Sequence, residues 1–448
     1  MIADHHSDVL IIGAGPGGYE TAAAAASSGL SVRIIERDEL GGTCLNRGCI
    51  PTKCLCRSAE VVSVVSDACS YGVEVQGYTL DYGRAVSRMR STVATLREGV
   101  AAALSGVDVI KAEASFVAPG MVAAGDKVYT AGKIIIATGS RPAIPRIEGA
   151  EYTVTSDDVL SAESLPGNAV IIGGGVIGME LACIMAAFGT KVSVLEYCKE
   201  ILPAFDKDIS KRLRSIIGQK AGIDIVTGAK VASVSRSPEG SFNVTFETKR
   251  GSEALTTDMV VMATGRRPVI PEGCAEAGIE VGPAGIVTGD NMETTASGVY
   301  AIGDCNGRCM LAHAASAQGR IVLGLDVVPD VIPAAVFTSP EAAMVGLTEA
   351  QCKDAGLDYA VGKSMFGANG KAVAMGEPVG MVKMICRRDT GLLIGVHILG
   401  PHASDLIQEA ATVMASGLGV DAIARAIHAH PTLGEAVAMA AMNLKMKL

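Results

Sequence analysis

The chain has no tryptophan, and Phe, Tyr and Trp together make up only 4% of its 448 residues. Single-stranded nucleic acid is bound largely by stacking on aromatic rings, so this scarcity counts against it. The formal charge of -9 removes the electrostatic basis for any polyanion partner. Twelve cysteines, irregularly spaced, are too few for a disulfide scaffold. The stretch Met1–Asp8 has neither a basic nor an apolar segment of the kind a secretory signal needs. No apolar run long enough to cross a bilayer goes uninterrupted. Val9–Val32 and Ala169–Val194 each contain a glycine-rich turn and an internal acid (Glu20, Glu180), which suits a strand turning into a buried helix better than a membrane span. These features point to a cytoplasmic protein with no nucleic-acid or membrane partner. What is abundant is apolar residues, 49%, and glycine, 53 residues, so large cores can form and intrinsic disorder is excluded. The length suits two or three domains.

The glycines are patterned. Val9–Ile12 is an apolar strand run leading into Gly13-Ala-Gly15-Pro-Gly-Gly18, followed by an Ala-rich helix and a second strand ending in Glu36. Gly13 permits the tight turn, Gly15 admits a pyrophosphate close to the backbone, and Gly18 allows the helix to pack on the sheet. The helix N-terminus attracts the phosphates, and the acid accepts hydrogen bonds from a ribose diol. One such motif is weak evidence, but Ala169–Ile172 leads into Gly173-Gly-Gly175-Val-Ile-Gly178, with Glu180 and Glu196 following. Five positions (Gly13, Gly15, Gly18, Glu20, Glu36) recur 160 residues later. A second pair repeats as well: Ala137-Thr138-Gly139-Ser140-Arg-Pro142 and Ala263-Thr-Gly265-Arg-Arg-Pro268. Two dinucleotide sites follow, and the simplest chemistry for two dinucleotides is electron transfer between a held flavin and an exchangeable nicotinamide. Glu196 would repel a 2′-phosphate, which selects NAD over NADP.

Shortly after Glu36 comes Gly41-Gly42-Thr43-Cys44-Leu-Asn46-Arg-Gly48-Cys49-Ile-Pro51-Thr-Lys53. Five residues along a straight helix advance about 7.5 Å and turn about 140°, too far apart for a bridge. Gly48 can supply the distortion that a bridge needs. Pro51 suits the first position of a helix. Cys49 then lies near a helix N-terminus with Lys53 close by, and both features acidify a thiol. Buried free thiols and half a zinc site are the alternatives, but zinc prefers a C-x2-C spacing, so disulfide chemistry is favoured. No residue set suggests a metal: His5, His6, His397 and His402 lack companions. His428 reads as structural.

The cysteine segment resembles the active-site signature of the pyridine nucleotide–disulfide oxidoreductases. His428-Ala-His430-Pro431-Thr432-Leu-Gly-Glu435 is similar to that family's acid–base signature. Gly298–Cys305 with Met310–His313 resembles its second flavin motif, and Val336–Glu349 resembles the start of its interface domain. The likeness runs the length of the chain and implies an α/β fold: two Rossmann-like dinucleotide-binding domains plus a C-terminal α+β dimerisation domain. The implied division is residues 1–147 for FAD and the cysteine pair, 148–270 for NAD, 271–330 as a return segment completing the FAD domain, and 331–448 for the dimer interface.

By the same resemblance, FAD is held by Gly13, Gly15, Gly18, Glu36, Lys53, Ala114, Thr138, Gly139, Ser140, Asp304, Met310, Leu311, Ala312 and His313. NAD is held by Gly173, Gly175, Gly178, Glu180, Glu196 and Gly265. Cys44 exchanges with substrate, Cys49 faces the flavin, and His430 is the acid–base group with Glu435 as its orienting partner. Thr432 and Glu435 also have capping-box spacing, so Glu435 could serve the helix start instead. His430 precedes a proline, a pair that tolerates a cis bond. The implied activity is oxidation of a dihydrolipoyl dithiol on a carrier protein, a 2-oxoacid dehydrogenase core or a glycine cleavage carrier, by a homodimer using NAD+. The alternative is an NAD(P)H-dependent reductase of another small disulfide.

Overall fold

The computed structural model describes residues 5–220 and 222–448, so the first four residues of Met1–Asp8 lie outside it. The described chain divides into two compact units. One gathers residues up to Leu55 with Gly83–Ala143 and Gly265–Pro329; the other gathers Cys56–Tyr82, Ile144–Thr264 and Asp330–Leu448.

In the first unit, His5–Ile12 is the centre of a sheet. It pairs in parallel with Val32–Glu36 on one side and Lys127–Ile136 on the other, Val9 lying opposite Val32 and Lys133. Asp108–Lys111 extends the sheet beyond Val32–Glu36. Val299–Ala301 returns from much later in the chain to pair with Ile134–Ile136. Strands buried on both faces read as unbroken apolar runs, and Leu10, Ile11, Ile34 and Ile134–Ile136 are all 2% exposed or less. The helix Pro16–Ser27 crosses from the first strand to the second, and a long helix, Tyr82–Ala103, follows the cysteine segment.

The second unit repeats the arrangement with a four-stranded parallel sheet: Asp224–Thr227, Lys191–Glu196, Asn168–Ile172, Met259–Met262. Its crossover helix is Val176–Ala187, and an antiparallel three-stranded sheet (Lys230–Arg236, Phe242–Thr248, Gly251–Thr257) shares its core through Val244 and Phe246. The C-terminal part is antiparallel, in the order Ala334–Val336, Glu341–Gly346, Leu393–Gly400, Met381–Arg387, Tyr359–Met365. Helices Ala403–Ala415 and Gly434–Lys445 close its separate core. Cys56–Tyr82 groups with this unit although it falls inside the 1–147 span. Its tyrosines explain why: Tyr71 Oη donates to the Met375 carbonyl (2.8 Å) and Tyr82 Oη to that of Val159 (2.9 Å).

The expected strand run Ala169–Ile172 begins one residue earlier, at Asn168, and Val9–Ile12 begins four residues earlier, at His5. Gly303–Asn306 is a short 3-10 helix. One reading needs correction. Pro51 is the third residue of its helix, Cys49–Ser66, not the first. Its missing N–H still costs nothing there, because the first four helical N–H groups have no intrahelical acceptor. Among the described residues no helix is long and apolar enough to cross a membrane.

Candidate redox and nucleotide sites

The two glycine-rich loops have nearly the same geometry. Gly13 and Gly173 take φ of +103° and +110°, and a Cβ on either would strike a carbonyl oxygen, of Ala137 or of Ala263. A Cβ on Gly18 or Gly178 would strike the carbonyl of Gly13 or Gly173. Gly15 and Gly175 are extended N-caps of their helices. Neither helix start is capped by a side chain, and neither has an acid in its first turn. Both helix starts therefore offer free N–H groups and a positive dipole end with nothing to repel an anion, which fits a pyrophosphate.

The acids at the strand ends are equally matched. Glu36 accepts from the N–H of Ala14 (2.6 Å) and of Asp38 (2.7 Å); Glu196 accepts from Gly174 and Cys198, both at 2.6 Å. Burial pushes the Glu36 carboxyl up, against the Ala14 N–H and the cations Lys111 and Arg37.

The cysteine segment is fastened to the first loop. The Gly41 N–H donates to the Ala14 carbonyl at 2.8 Å. Gly41 and Gly42 have φ of +94° and +58°, and a Cβ on Gly42 would sit 2.6 Å from Gly15 Cα. This contact launches the short helix Gly42–Arg47, which carries Cys44. Gly48, at φ -141° and ψ -111°, breaks the helix and restarts the chain at Cys49. The expected backbone distortion is there, and it brings the thiols together: the Cys44 and Cys49 side chains are hydrogen-bonded to each other. That bond, then burial, pushes the pKa of the Cys44 thiol well up, while Lys53 opposes the shift.

Asn46 holds this turn, donating to the carbonyls of Leu40 and Gly42 (both 2.9 Å) and accepting from Arg97 at 3.1 and 2.8 Å. No local pattern points to Arg97, 51 residues away.

The remaining residues expected at the flavin also lie in the first unit. Thr138 Oγ1 donates to the Val269 carbonyl at 2.6 Å. Ser140 Oγ donates to the Asp304 carboxylate, and Arg266 grips Ser140 twice, at its Oγ and its carbonyl, both at 2.7 Å. The two repeated motifs thus pair with each other, Ser140–Pro142 against Arg266–Pro268. Arg266 escaped sequence reasoning because it lies in the copy expected at NAD. Leu311 is the N-cap of the helix Ala312–Val322, again without a side-chain cap, which places Met310–His313 at another open helix start. Ala114 begins the strand Ala114–Ala118 and packs at the edge of the core. Gly265 falls in this unit, its carbonyl accepting from the Ala143 N–H at 2.9 Å.

In the second unit, Glu180 is 3% exposed and accepts from the Phe337 N–H at 2.9 Å. His430 Nδ1 is 2.9 Å from Glu435 Oε1, while Glu435 Oε2 accepts from the Thr432 N–H, also at 2.9 Å. Glu435 thus bonds both His430 and Thr432, one oxygen to each, but the N-cap of its helix, Gly434–Lys445, is Leu433 rather than Thr432, so the expected capping box does not form. The Thr432 N–H and then His430 hold its carboxyl below the usual range. The His430 side chain is 79% exposed, which leaves Nε2 open. His428 pairs with Glu409 at 3.0 Å.

A family model described as pyridine nucleotide-disulphide oxidoreductase matches residues 7–319, and one for that family's dimerisation domain matches residues 332–441. The chain is 40% identical over 444 residues to the dihydrolipoyl dehydrogenase of Bacillus subtilis (strain 168), spanning 96% of this chain and 94% of that one. It is 37% identical over 455 residues to the dihydrolipoyl dehydrogenase of Geobacillus stearothermophilus, spanning 98% and 96%. Among solved structures it is similar to the HOCl-induced flavoprotein disulfide reductase RclA from Escherichia coli. The TM-score is 0.85 at 29% identity, over 97% of this chain and 99% of that one.

Proposed function

The chain belongs to the pyridine nucleotide-disulphide oxidoreductase family, and from that premise we propose that it oxidises dihydrolipoamide on a carrier protein to lipoamide, with FAD and NAD+ as cofactors. The observation that carries the reading is the fastening of the Cys44–Cys49 turn onto the Ala14–Gly15 phosphate loop, which puts a thiol pair and a dinucleotide cradle on one scaffold. The relatives at 40% and 37% identity favour the lipoyl substrate over that of a disulfide reductase, the name borne by the structure at 29%.

In the forward half, the exposed Nε2 of His430 takes a proton from one substrate thiol. An imidazole suits a base working near neutral pH. Glu435 fixes the other ring nitrogen and stabilises the imidazolium that forms. The substrate thiolate attacks Cys44 Sγ of the oxidised pair, the Cys44–Cys49 bond breaks, and Cys49 leaves as a thiolate. The second substrate thiol loses its proton and displaces Cys44, which closes lipoamide and leaves Cys44 and Cys49 reduced. Bound FAD and NAD+ supply the acceptor chemistry that carries the electron pair away and restores the disulfide. Gly13, Gly15, Gly18 and Glu36 would hold the ADP half of FAD. Thr138, Ser140, Asp304 and the helix start at Met310–His313 would complete that site. Gly173, Gly175, Gly178 and Glu196 would hold NAD.

The carrier is a 2-oxoacid dehydrogenase core or a glycine cleavage protein, the enzyme is cytoplasmic, and its dimerisation domain forms a two-fold homodimer. His430 then serves the cysteine pair of the partner subunit. Two assays test the reading. The purified protein carries about one FAD per chain and forms NADH from dihydrolipoamide and NAD+; absence of flavin, or turnover only of other disulfides, overturns it. Mixing inactive Cys44→Ser with inactive His430→Ala protein restores up to about half the activity per hybrid dimer, because one of the two shared sites escapes both lesions. No recovery despite proven exchange refutes sharing.

A further inference from the structure

Lys383, on the strand Met381–Arg387, is the only lysine or arginine buried among the described residues, at 1% exposure. Its ammonium reaches both oxygens of Asp206 (2.8 and 3.0 Å), Asp208 Oδ2 (3.0 Å) and Glu349 Oε2 (2.6 Å). Lys363 adds a second cation on Asp208 at 2.7 Å. The neighbouring His397 is fully buried, and burial pushes its pKa down, so it brings no further positive charge.

Asp206 is the hub. Besides Lys383, its carboxylate accepts from the N–H of Asp208, at the start of the helix Lys207–Lys220, and of Glu349, first residue of the helix Glu349–Asp354. One carboxylate therefore ties two helix starts to one buried ammonium. Just upstream, the turn from Leu202 to Asp206 lies against the second phosphate loop. The Leu202 N–H donates to the Gly174 carbonyl at 2.9 Å, and Gly174 is the residue whose own N–H holds Glu196. Leu202 takes φ +46°, a conformation disfavoured for leucine and more so before a proline. Such a conformation persists only where its surroundings enforce it. On the upstream side Glu196 sits under the loop; on the downstream side the anchor is Asp206 on Lys383.

We propose that Lys383 is a positioning residue for NAD: through Asp206 it holds the Leu202–Asp206 turn against Gly174 and so sets the seat of the ribose acid Glu196. The inference rests on assigning Gly173–Glu196 to NAD, and it predicts which half of the reaction is sensitive. Calorimetric titration of NAD+ onto the oxidised holoenzyme, with KM for NAD+ measured alongside, reads the effect. Lys383→Met raises Kd about tenfold or more, since misplacing a supporting group by even an ångström is costly. Anaerobic flavin reduction by dihydrolipoamide, recorded without NAD+, keeps its wild-type rate.

Should the three carboxylates left behind prevent folding, Asp206→Asn/Lys383→Met removes one of those charges with the cation. Glu349→Gln, at a half-exposed partner, loosens the same clamp without stranding a buried charge and raises Kd by a smaller factor. Folded variants with unchanged Kd, or flavin reduction falling in step with NAD+ binding, overturn the proposal. Absence of dihydrolipoamide oxidation in the wild type would instead refute the activity, and the calorimetric comparison would still stand.

Discussion

The two phosphate loops are nearly superimposable in their chemistry, yet the chain puts them to different uses. In each, the second residue (Ala14 or Gly174) donates its N–H to a strand-end acid, and its carbonyl accepts an N–H from a later segment. In the first copy that donor is Gly41, and the next residues bend into the cysteine turn. In the second copy it is Leu202, and the next residues run into Asp206 and its buried lysine. The same backbone acceptor thus seats a redox pair in one copy and a structural anchor in the other. A duplicated nucleotide cradle is generic, and what is attached to its second carbonyl makes the copy specific.

Removing the redox pair breaks the comparison most severely. Cys44→Ser lowers dihydrolipoamide oxidation by about 1000-fold or more, because groups that act as a unit fail together. NAD+ affinity, measured by titration, stays as in the wild type. His430→Gln comes next, with a loss of about 100- to 10,000-fold in turnover, the range for a general acid–base group, and unchanged FAD content.

A sharper contrast comes from the paired glycines. Gly18→Ala and Gly178→Ala each force a Cβ into a backbone carbonyl and cost about 1–3 kcal/mol by overpacking. Gly18→Ala also lowers the fraction of chains holding FAD, whereas Gly178→Ala keeps FAD and weakens NAD+ binding. Equal loss of both cofactors from either variant would show that the cradles are not independent. Glu196→Gln should reduce kcat/KM for NAD+ about tenfold, by weakening charge-assisted hydrogen bonds, and narrow the preference over NADP+. Equal wild-type turnover with the two nucleotides would contradict the assignment.

The smallest effect concerns acid stability of the anchor. Burial alone would raise the Asp208 carboxyl, but hydrogen bonds from Lys363 and Lys383 win and hold it at about 2. A carboxyl depressed on folding contributes stability above its unfolded pKa, near 4, and loses it as pH falls toward 2. Melting curves should therefore drop more steeply between pH 4 and 2 for the wild type than for Asp208→Asn, by a few degrees at most, since the group is partly exposed.

Local signals made much of this legible. Gly13, Gly15, Gly18 and their copies announce themselves because a tight turn and a close helix–strand contact admit no side chain. Cys44, Gly48 and Cys49 are read together because a pair five apart needs a break between them. The resemblance pairs Glu435 with His430 and the spacing pairs it with Thr432, and one carboxylate oxygen meets each. What was not legible depends on long-range pairing. Arg97 meets Asn46 across 51 residues and Arg266 meets Ser140 across 126, with no periodicity to reveal either.

The sequence by itself determined the doubled glycine-rich unit and the cysteine turn, since each depends on residues within one turn, helix start or strand end, where backbone geometry dictates the residue type. Only the tertiary structure decided that the cysteine turn hangs from the Ala14 carbonyl, that Ser140–Pro142 pairs with Arg266–Pro268, and that Lys383 is buried against Asp206, Asp208 and Glu349. In the sequence Lys383 is one cation within an apolar run, and charge patterning assigns such a residue to the surface. It is buried because the fold brings three carboxylates from two distant segments around it, and only that assembled charge can replace the water it loses.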